Sequence, residues 1–422
     1  MSVEVHLPGA PAVKTGRLRA WLYKRFPVEE FISDQLTGYY APKNFNFWYY
    51  FGVLSLVVFA IQLFTGIFLT MFYQVGDPAS FNSVQFIMRE VDYGWLIRYV
   101  HSTGASAFFL VVYLHMFRAL LYGSYKPPRE LLWIFGMFAY LALMAEAFLG
   151  YVLPWGNMSY WAAQVITNIF GTIPGIGPGL VEWIRGDYGI SEATLNRFFA
   201  LHVVAVPLAL LLLVMLHLVA LRRTGSSNPD GIEIKAHLGP DGHPIDGIPF
   251  HPYYTVKDTV GVGVFLVLFA IVVFFVPTFG GYLLEPANFE LANPLSTPPD
   301  VMPSWYLTPY YAILRGIPNQ RLGALLLLLA IVVYFLLPWL DRSPVKSMRY
   351  KGWLSRTFLA LFVIGFLCLM YAGLHPVEPL YVLIGRIGTV LYFAYFVLMP
   401  WYTRIERVKP LPDRLRFRAH AS

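Results

Sequence analysis

The sequence of 422 residues has little charge: Lys, Arg, Asp and Glu make up 13% of it, whereas 57% is hydrophobic. Soluble domains carry about 25% charged residues, so this chain has too few to cover a water-facing surface. It has a single cysteine, Cys368, which excludes an internal disulfide, a thiolate-bound iron–sulfur cluster and a C-x-x-C-H haem attachment. No apolar core precedes Trp48, and we therefore expect no cleaved signal peptide.

Hydropathy predicts an all-α, polytopic membrane protein with eight transmembrane helices. A hydrocarbon core of about 30 Å needs about 20 apolar helical residues. The runs that meet this length lie near residues 48–73, 95–122, 131–152, 197–221, 259–279, 322–340, 354–373 and 381–402. Residues 17–31 are too charged to span, and they predict a helix that lies on the membrane surface.

The spans divide the chain into five segments. We predict a cytoplasmic N-terminal segment with the surface helix, a di-haem bundle of the first four helices, a cytoplasmic loop, four C-terminal helices and a basic cytoplasmic tail. In that order the segments are 1–47, 48–223, 224–258, 259–403 and 404–422. Two loops on the opposite side, 153–196 and 280–321, are too long for simple turns, and loops of this length are usually functional.

Lys and Arg residues are unevenly divided between the two sides of the predicted membrane protein. The side with both termini holds 22 of them outside the spans, and the opposite side holds 4. By the positive-inside rule both termini are cytoplasmic. Topology thus explains the formal net charge of +7, and we expect no nucleic acid partner.

Four histidines lie inside the predicted spans, as two pairs. His101 and His115 are 14 residues apart on the second span, and His202 and His217 are 15 apart on the fourth. Fourteen residues make nearly four helical turns, so the first pair shares one face. Neutral imidazole is the usual nitrogen ligand of haem iron. The pattern favours two stacked bis-histidine haems, whereas a single such residue would more often be a hydrogen-bonded core histidine.

The 15-residue spacing turns His217 about 60° away from His202 on a straight helix. Pro207 lies between them, and we expect a kink or one-residue bulge there to absorb the difference. Small residues suit a flat macrocycle, although they also serve helix packing: Gly52, Gly66, Gly136 and Gly150. Three arginines near the histidines would pair with haem propionates, or extend to the interface: Arg98, Arg118 and Arg197.

Beyond the histidines, a series of motifs resembles the cytochrome b family of quinol:cytochrome c oxidoreductase (cytochrome bc1) complexes, of the bacterial type. The resemblance covers about residues 15–407. The motifs are Gly94-Trp95 through Arg98, the runs GYVLPWG at 150–156 and RFFALH at 197–202, Ser227-Asn228-Pro229, HPYYTVKD at 251–258, Trp305-Tyr306 and YAILR at 311–315. Any one of them is weak, but in this order they are highly specific.

The resemblance implies a Q-cycle in a bacterial inner membrane. Quinol, expected to be ubiquinol, would be oxidised near the outer face. One electron would go to a Rieske iron–sulfur protein and the other across two b haems to a quinone near the cytoplasmic face. Cytochrome c1 and a second copy of the complex, as a homodimer, are the other implied partners besides the lipid bilayer.

The resemblance also implies roles for individual residues. His101 and His202 would ligate the outer, low-potential haem, and His115 and His217 the inner, high-potential haem. The outer quinol site would contain Phe148, Tyr151, Trp305, Tyr306 and Tyr311, with Ala162 lining it. The inner quinone site would contain Ser226, Lys257 and Asp258, with Arg222 where a histidine is frequent.

The sequence departs from the family at the outer site. It reads Pro303-Ser304-Trp305-Tyr306, where the family usually has Pro-Glu-Trp-Tyr with a glutamate thought to accept a quinol proton. Glu146 lies inside the third span, where a carboxylate is costly and functional by default. We hypothesise that Glu146 replaces the missing glutamate from the opposite wall; a protonated Glu146, hydrogen-bonded in the bundle, is the alternative.

Ala162 is a second departure, because the family usually has glycine there. The added methyl group predicts poor inhibition by methoxyacrylate-type compounds.

Two other functions stay open on the sequence alone. One is the di-haem, quinone-reactive membrane anchor of another dehydrogenase, although such subunits usually have fewer spans and lack the Trp305-Tyr306 loop motif. The other is a non-redox transporter, in which intramembrane His, Arg and Glu side chains would form a proton or substrate path.

Overall fold

The structure is a computed structural model that describes residues 2–5, 13–16, 18, 21, 25 and 38–415. Across these residues the chain is mostly helical, and eight helices are long and apolar enough to cross a membrane, as predicted. The predicted surface helix at 17–31 lies outside the described residues except at positions 18, 21 and 25. The end of the basic tail, 416–422, also lies outside them.

The elements of the described chain are as follows. The helices are α1 (Tyr50–Thr70), α2 (Ala79–Arg89), α3 (Gly94–Tyr122), α4 (Glu130–Val152), α5 (Asn157–Phe170), α6 (Gly177–Arg185), α7 (Glu192–Ala200), α8 (Val206–Thr224), α9 (Tyr253–Phe275), α10 (Thr308–Gly316), α11 (Gln320–Leu340), α12 (Trp353–Gly373), α13 (Pro379–Val397) and α14 (Met399–Ile405). Two antiparallel strand pairs are formed by β1 (Ser2–Val5) with β2 (Val13–Gly16), and by β3 (Tyr40–Pro42) with β4 (Gly247–Pro249).

The spanning helices form two groups that share one apolar core. In the first group α1 packs along α3, and α4 packs along α8. In the second group α12 packs on α13, and the short helix α10 packs on both of them and on α11. Buried Phe109 and Tyr140 of the first group belong to the same core as Tyr306, Tyr334 and Phe396 of the second. The loop before α10 is therefore fixed against the bundle.

One spanning helix begins earlier than hydropathy predicts. Helix α9 begins at Tyr253, six residues before the predicted span, and it ends at Phe275. Its first two turns contain Lys257 and Asp258, whose polarity lowers the local hydropathy. Both residues therefore lie on a helix, although the sequence placed them at the end of the loop at 224–258.

The segment between α8 and α9 is fastened to the rest of the chain by ion pairs. Arg129 binds Glu233 in a bidentate pair, with nitrogen–oxygen distances of 2.5 and 2.8 Å, and Lys346 lies 2.6 Å from the same carboxylate. Buried Asp246 binds Lys43 at 2.8 Å and Arg414 at 2.9 Å. These contacts hold the segment against the inner end of the bundle, which is the end opposite the loops 153–196 and 280–321.

Candidate functional site

Two pairs of histidines face each other inside the first helix group, one pair near each end. The ring centroids of His101 and His202 are 6.3 Å apart, and those of His115 and His217 are also 6.3 Å apart. Metal–imidazole bonds are about 2.0–2.1 Å long, so each interval leaves room for one metal ion between two rings. The structure brings the four histidines together in the predicted pairs.

At the outer end, each histidine faces a glycine on a neighbouring helix. A Cβ atom on Gly66 of α1 would lie 3.3 Å from Cε1 of His101. A Cβ atom on Gly150 of α4 would overlap the ring of His202. Any residue larger than glycine at position 150 would therefore displace the His202 ring.

The inner pair repeats this arrangement one bundle length away. A Cβ atom on Gly52 of α1 would lie 3.5 Å from Cε1 of His115, and one on Gly136 of α4 would lie 3.1 Å from Cε1 of His217. All four predicted glycines therefore line the histidine pairs, which is a cradle suited to a flat group held edge-on between four helices.

A π-helical segment, Leu201–Ala205, explains how the 15-residue spacing still places both histidines inside the bundle. The N–H of Val206 donates to the carbonyl of Leu201, five residues back. Pro207 follows directly and has no N–H to donate, so the regular α-helical ladder cannot continue through it. A π-turn inserts one extra residue, which turns His217 back into register with His202. The expected one-residue bulge is confirmed, just before the proline.

Hydrogen bonds fix the orientation of the outer rings. Thr65 Oγ1 lies 2.9 Å from Nδ1 of His101. His202 Nδ1 lies 2.9 Å from the backbone oxygen of Glu146 and 3.0 Å from its carboxylate oxygen Oε1. A partner at Nδ1 sets the tautomer and leaves Nε2 as the metal-binding nitrogen.

The predicted propionate partners have different surroundings. Arg98 lines a cavity of about 490 Å³ together with His101, Glu146 and His202. Arg118 lies beside His115, and its buried Nε finds no hydrogen-bond partner among the described residues. Arg197 donates instead to the backbone oxygen of Trp183. Arg98 and Arg118 thus have the free donor capacity that an acidic group would use.

The outer cavity continues beneath two loops that are locked together by backbone hydrogen bonds. Asn157 N donates to the oxygen of Glu290 at 2.9 Å, and Ala292 N donates to the oxygen of Trp155 at 3.1 Å. Ser159 N donates to the side chain of Asn288 at 2.8 Å. The segment before α10 is therefore held in fixed register on the start of α5.

The predicted outer-site residues divide into those that line this space and those that hold its walls. Tyr151 and Tyr306 line the cavity and an adjoining small pocket, and Phe148 and Ala162 line the small pocket. Glu146 lines the cavity. Trp305 donates from Nε1 to Ser106, and Tyr311 donates to the oxygen of Val301, so both fasten the loop outside the lining. The ring of Tyr306 is fixed by stacking on Phe109, with centroids 3.9 Å apart.

A carboxylate that sequence reasoning missed lies behind Tyr151. The hydroxyl of Tyr151 donates to Oε2 of Glu285 at 3.1 Å, and Nδ2 of Asn288 lies 3.4 Å from the same oxygen. Burial raises the pKa of Glu285 to about 7. Ser304, the residue in the glutamate position of the family motif, lines the cavity together with Tyr151, whereas Glu285 lies behind the lining. The sequence feature that could have identified Glu285 is its position as an acidic residue inside a long apolar loop.

The predicted inner-site residues form two neighbouring sets. The Arg222 guanidinium lies 4.0 Å from the ring centroid of Tyr39, whose hydroxyl is 2.7 Å from Oγ of Ser226. Lys257 donates to Tyr253 at 2.8 Å, and Oδ1 of Asp258 is buried with no hydrogen-bond partner in the described chain. Tyr39 was missed because it lies far from these residues in the sequence.

Comparison with known proteins gives matches over most of the chain. The family model "Cytochrome b/b6/petB" matches residues 36–225, and "Cytochrome b(C-terminal)/b6/petD" matches residues 291–393. The cytochrome b of Allochromatium vinosum is 54% identical over 96% of this chain and 99% of its own length. A Bradyrhizobium diazoefficiens protein called cytochrome b/c1 is 42% identical over 97% of this chain and 57% of its own.

A solved structure is similar over the same extent. A chain of a hyperthermophilic respiratory complex III matches with a TM-score of 0.85 and 40% identity, covering 92% of this chain and 98% of that one.

Proposed function

Because the chain belongs to the cytochrome b family, as the core of a bc1-type complex III, we propose that its two histidine pairs hold two b haems and that its two ends hold two quinone sites. The observation that carries this proposal is the repeated unit of two histidines facing two glycines, present once at each end of one helix bundle. Each bound haem would accept and pass on one electron, so that the two carry charge between the sites.

The chain's own residues would prepare the haem sites. His101 and His202 would ligate the outer haem, and His115 and His217 the inner haem, with rings oriented by their partners at Nδ1. The glycines keep the space beside each ring clear. Arg98 and Arg118 would bind propionates, whereas Arg197 would need to leave Trp183 to do so.

The outer quinol site would lie where Tyr151, Ser304 and Tyr306 meet, with Phe148 and Ala162 as its apolar side. Quinol oxidation releases two electrons and two protons. One electron would go to a Rieske protein and one to the outer haem, while the protons go to acceptors on the protein. Glu146 would line this site, and its bond to His202 would serve to orient that imidazole ring.

The inner quinone site would lie near Arg222, Ser226 and Asp258, at the end that holds the basic loops. Reduction of a quinone consumes two protons, and the buried carboxyl of Asp258 is placed to supply one. The Arg222 guanidinium would bind a quinone oxygen, with Lys257 at the membrane interface.

The partners and the location are proposed from the family membership and from the distribution of charge. We propose a Rieske protein, cytochrome c1 and a second copy of the complex as partners in a bacterial inner membrane, with both termini cytoplasmic. The fused b/c1 relative supports cytochrome c1, and the distribution of Lys and Arg supports the orientation. The long C-terminal family match argues against a smaller di-haem anchor or a transporter.

A redox titration of the purified complex, followed by reduced-minus-oxidised spectra, tests the proposal. Two b-type components at separate potentials are expected, and His202→Leu should remove the lower one and His217→Leu the higher one. A single component in the parent protein, or none, would overturn the assignment of the two pairs.

A further inference from the structure

The outer site needs a proton acceptor, and the residue at the usual position is a serine. Ser304 lines the cavity, but a hydroxyl is not a base near neutral pH. Glu146 lines it as well, although its carboxylate is bonded to the imidazole of His202. Two further polar side chains line the small pocket: Tyr306, whose ring is stacked on Phe109, and Tyr151, whose hydroxyl donates to Glu285.

The hydroxyl of Tyr151 connects the cavity to Glu285. It donates to Oε2 of Glu285 at 3.1 Å, while its ring lines both the cavity and the small pocket. Glu285 is not part of either lining and is half-buried at the outer end of the molecule. A proton from a bound molecule would therefore reach Glu285 through one intervening hydroxyl, on the side that leads to the outer surface.

The position of Glu285 is fixed by the loop that carries it. Glu285 precedes the short 3-10 turn Pro286–Phe289, and Asn288 of that turn bonds both the Glu285 carboxylate and the backbone of Ser159. The backbone bridge between Gly156 and Leu291 fastens the same segment to the start of α5. The Tyr151–Glu285 contact thus joins the last turn of α4 to a loop that is docked on the start of α5.

No ion pair of the described residues includes Glu285, and the ion pairs that are present involve other acids, such as Asp246 and Glu233 at the inner end. The groups that face it are the hydroxyl of Tyr151, the amide of Asn288 and, further away, the hydroxyl of Tyr306. Burial without a cation explains why the pKa of Glu285 rises to about 7, where a carboxylate exchanges protons most readily at neutral pH.

We propose that Glu285 is the acceptor for one quinol proton at the outer site, reached through the hydroxyl of Tyr151. The quinol O–H bond breaks, its proton binds the oxygen of Tyr151, and the proton already on Tyr151 moves to Oε2 of Glu285. The two quinol electrons leave to the iron–sulfur partner and the outer haem. The second quinol proton leaves with the electron that goes to the iron–sulfur partner, so the quinone that remains is neutral. Glu285, now neutral, releases its proton to the outer aqueous side and becomes an anion again.

This inference rests on the proposed quinol oxidation, and the test separates the two. In the intact complex, kcat, KM and the pH profile of quinol:cytochrome c reduction would be measured for Glu285→Gln and Tyr151→Phe. General base catalysis contributes about 10²–10⁴-fold. We expect kcat to fall at least tenfold in both variants, with KM nearly unchanged and with the ionisation near neutral pH lost from the Glu285→Gln profile. Glu285→Asp should retain part of the rate.

The matched control is Glu290→Gln, which removes an exposed carboxylate from the same segment while its docking contact, a backbone oxygen, stays in place. It should leave rate and pH profile as in the parent. The double variant Glu285→Gln/Tyr151→Phe should be no slower than the slower single variant, because both act on one proton path.

The outcomes are distinguishable. Two haems with normal potentials, together with parent-like rate and pH profile in Glu285→Gln, would overturn the role of Glu285 and leave the proposed function intact. Additive losses in the double variant would also overturn it. Absence of two haems or of quinol oxidation in the parent protein would instead overturn the proposed function itself. Should Glu285→Gln lose haem, Tyr151→Phe and Glu285→Asp carry the same test.

Discussion

Gly150 lies so close to His202 that a methyl group at its Cα would occupy the space of the imidazole ring. The two residues come from different helices, and the contact sets how closely α4 approaches the π-helical segment. At this distance the imidazole ring of His202 fills the space between the two helices, and Gly150 adds no side chain to it. The outer histidine pair depends on this contact more than the inner pair depends on its own.

The first prediction concerns that difference. Gly150→Ala should displace His202 and remove the low-potential haem component, because the new Cβ and the ring cannot share one position. Gly52→Ala, whose Cβ would make an ordinary contact of 3.5 Å with His115, is the matched control and should retain both components. A spectral redox titration measures this. Equal loss of one haem in both variants would show that the glycines serve general packing.

The second prediction concerns Glu146. Because its carboxylate bonds Nδ1 of His202, Glu146→Gln should shift the midpoint potential of the outer haem while haem content stays normal. If Glu146 were also the proton acceptor that the sequence suggested, quinol oxidation would fall as strongly as in Glu285→Gln. Steady-state rates and potentials, measured on the same preparations, distinguish the two roles. Unchanged oxidation with normal haem content would refute Glu146 as the acceptor.

The third prediction concerns Ala162, which is buried on α5 and lines the small pocket with Phe148 and Pro303. Its methyl group reduces the space available to methoxyacrylate-type inhibitors. Ala162→Gly should increase sensitivity about 10–100-fold, since an extra methylene-sized group costs about 1–3 kcal/mol in a tight pocket. Inhibition curves of quinol oxidation measure the change, and an unaltered curve would contradict this account of the pocket.

The fourth prediction concerns the ion pairs of Asp246. Burial alone would raise its pKa, but hydrogen bonds from Arg414 and Lys43 outweigh this and hold the pKa of Asp246 at about 2. The pKa is lowered on folding, so the stabilisation is present above the unfolded value of about 3.9 and is lost as the pH falls towards 2. The fastening of the tail to the loop should therefore persist to about pH 3.

Asp246→Asn should abolish this acid-sensitive fastening at neutral pH, at a cost of about 1–3 kcal/mol, because both cations lose a charged acceptor. Limited proteolysis of the segment between α8 and α9, followed over a range of pH, measures it. Asp241→Asn in the same segment, where the side chain is exposed, should cleave like the parent protein. Identical cleavage of the two variants would mean that the pairs with Asp246 do not hold the segment.

Hydropathy and helix geometry predicted the spans and the histidine pairs, because both depend on local periodicity. The bulge before Pro207 was predictable for the same reason: a rotation of about 60° had to be absorbed between two ligands on one helix. The start of α9 was not predictable in this way, because Lys257 and Asp258 lower the hydropathy of its first two turns to a value typical of a loop.

The missed residues are all placed by contacts between distant parts of the chain. Glu285 meets Tyr151 across 134 positions, and Tyr39 meets Ser226 across 187. No local pattern marks either contact. Motif comparison identified Ser304 because the residue differs from the family motif at that position. It did not identify Glu285, whose proposed role depends on how its loop docks on the end of α4.

The π-helical segment Leu201–Ala205 has a consequence for how this helix tolerates change in length. Its extra residue lies in one wider turn next to a proline, so deleting one residue from 203–205 would restore the α-helical register, except for the bond that Pro207 cannot make, and leave both histidines in line. A single deletion inside a membrane helix ordinarily rotates everything beyond it by about 100°. Here the helix has a built-in position where one codon can be lost without moving the ligands out of register.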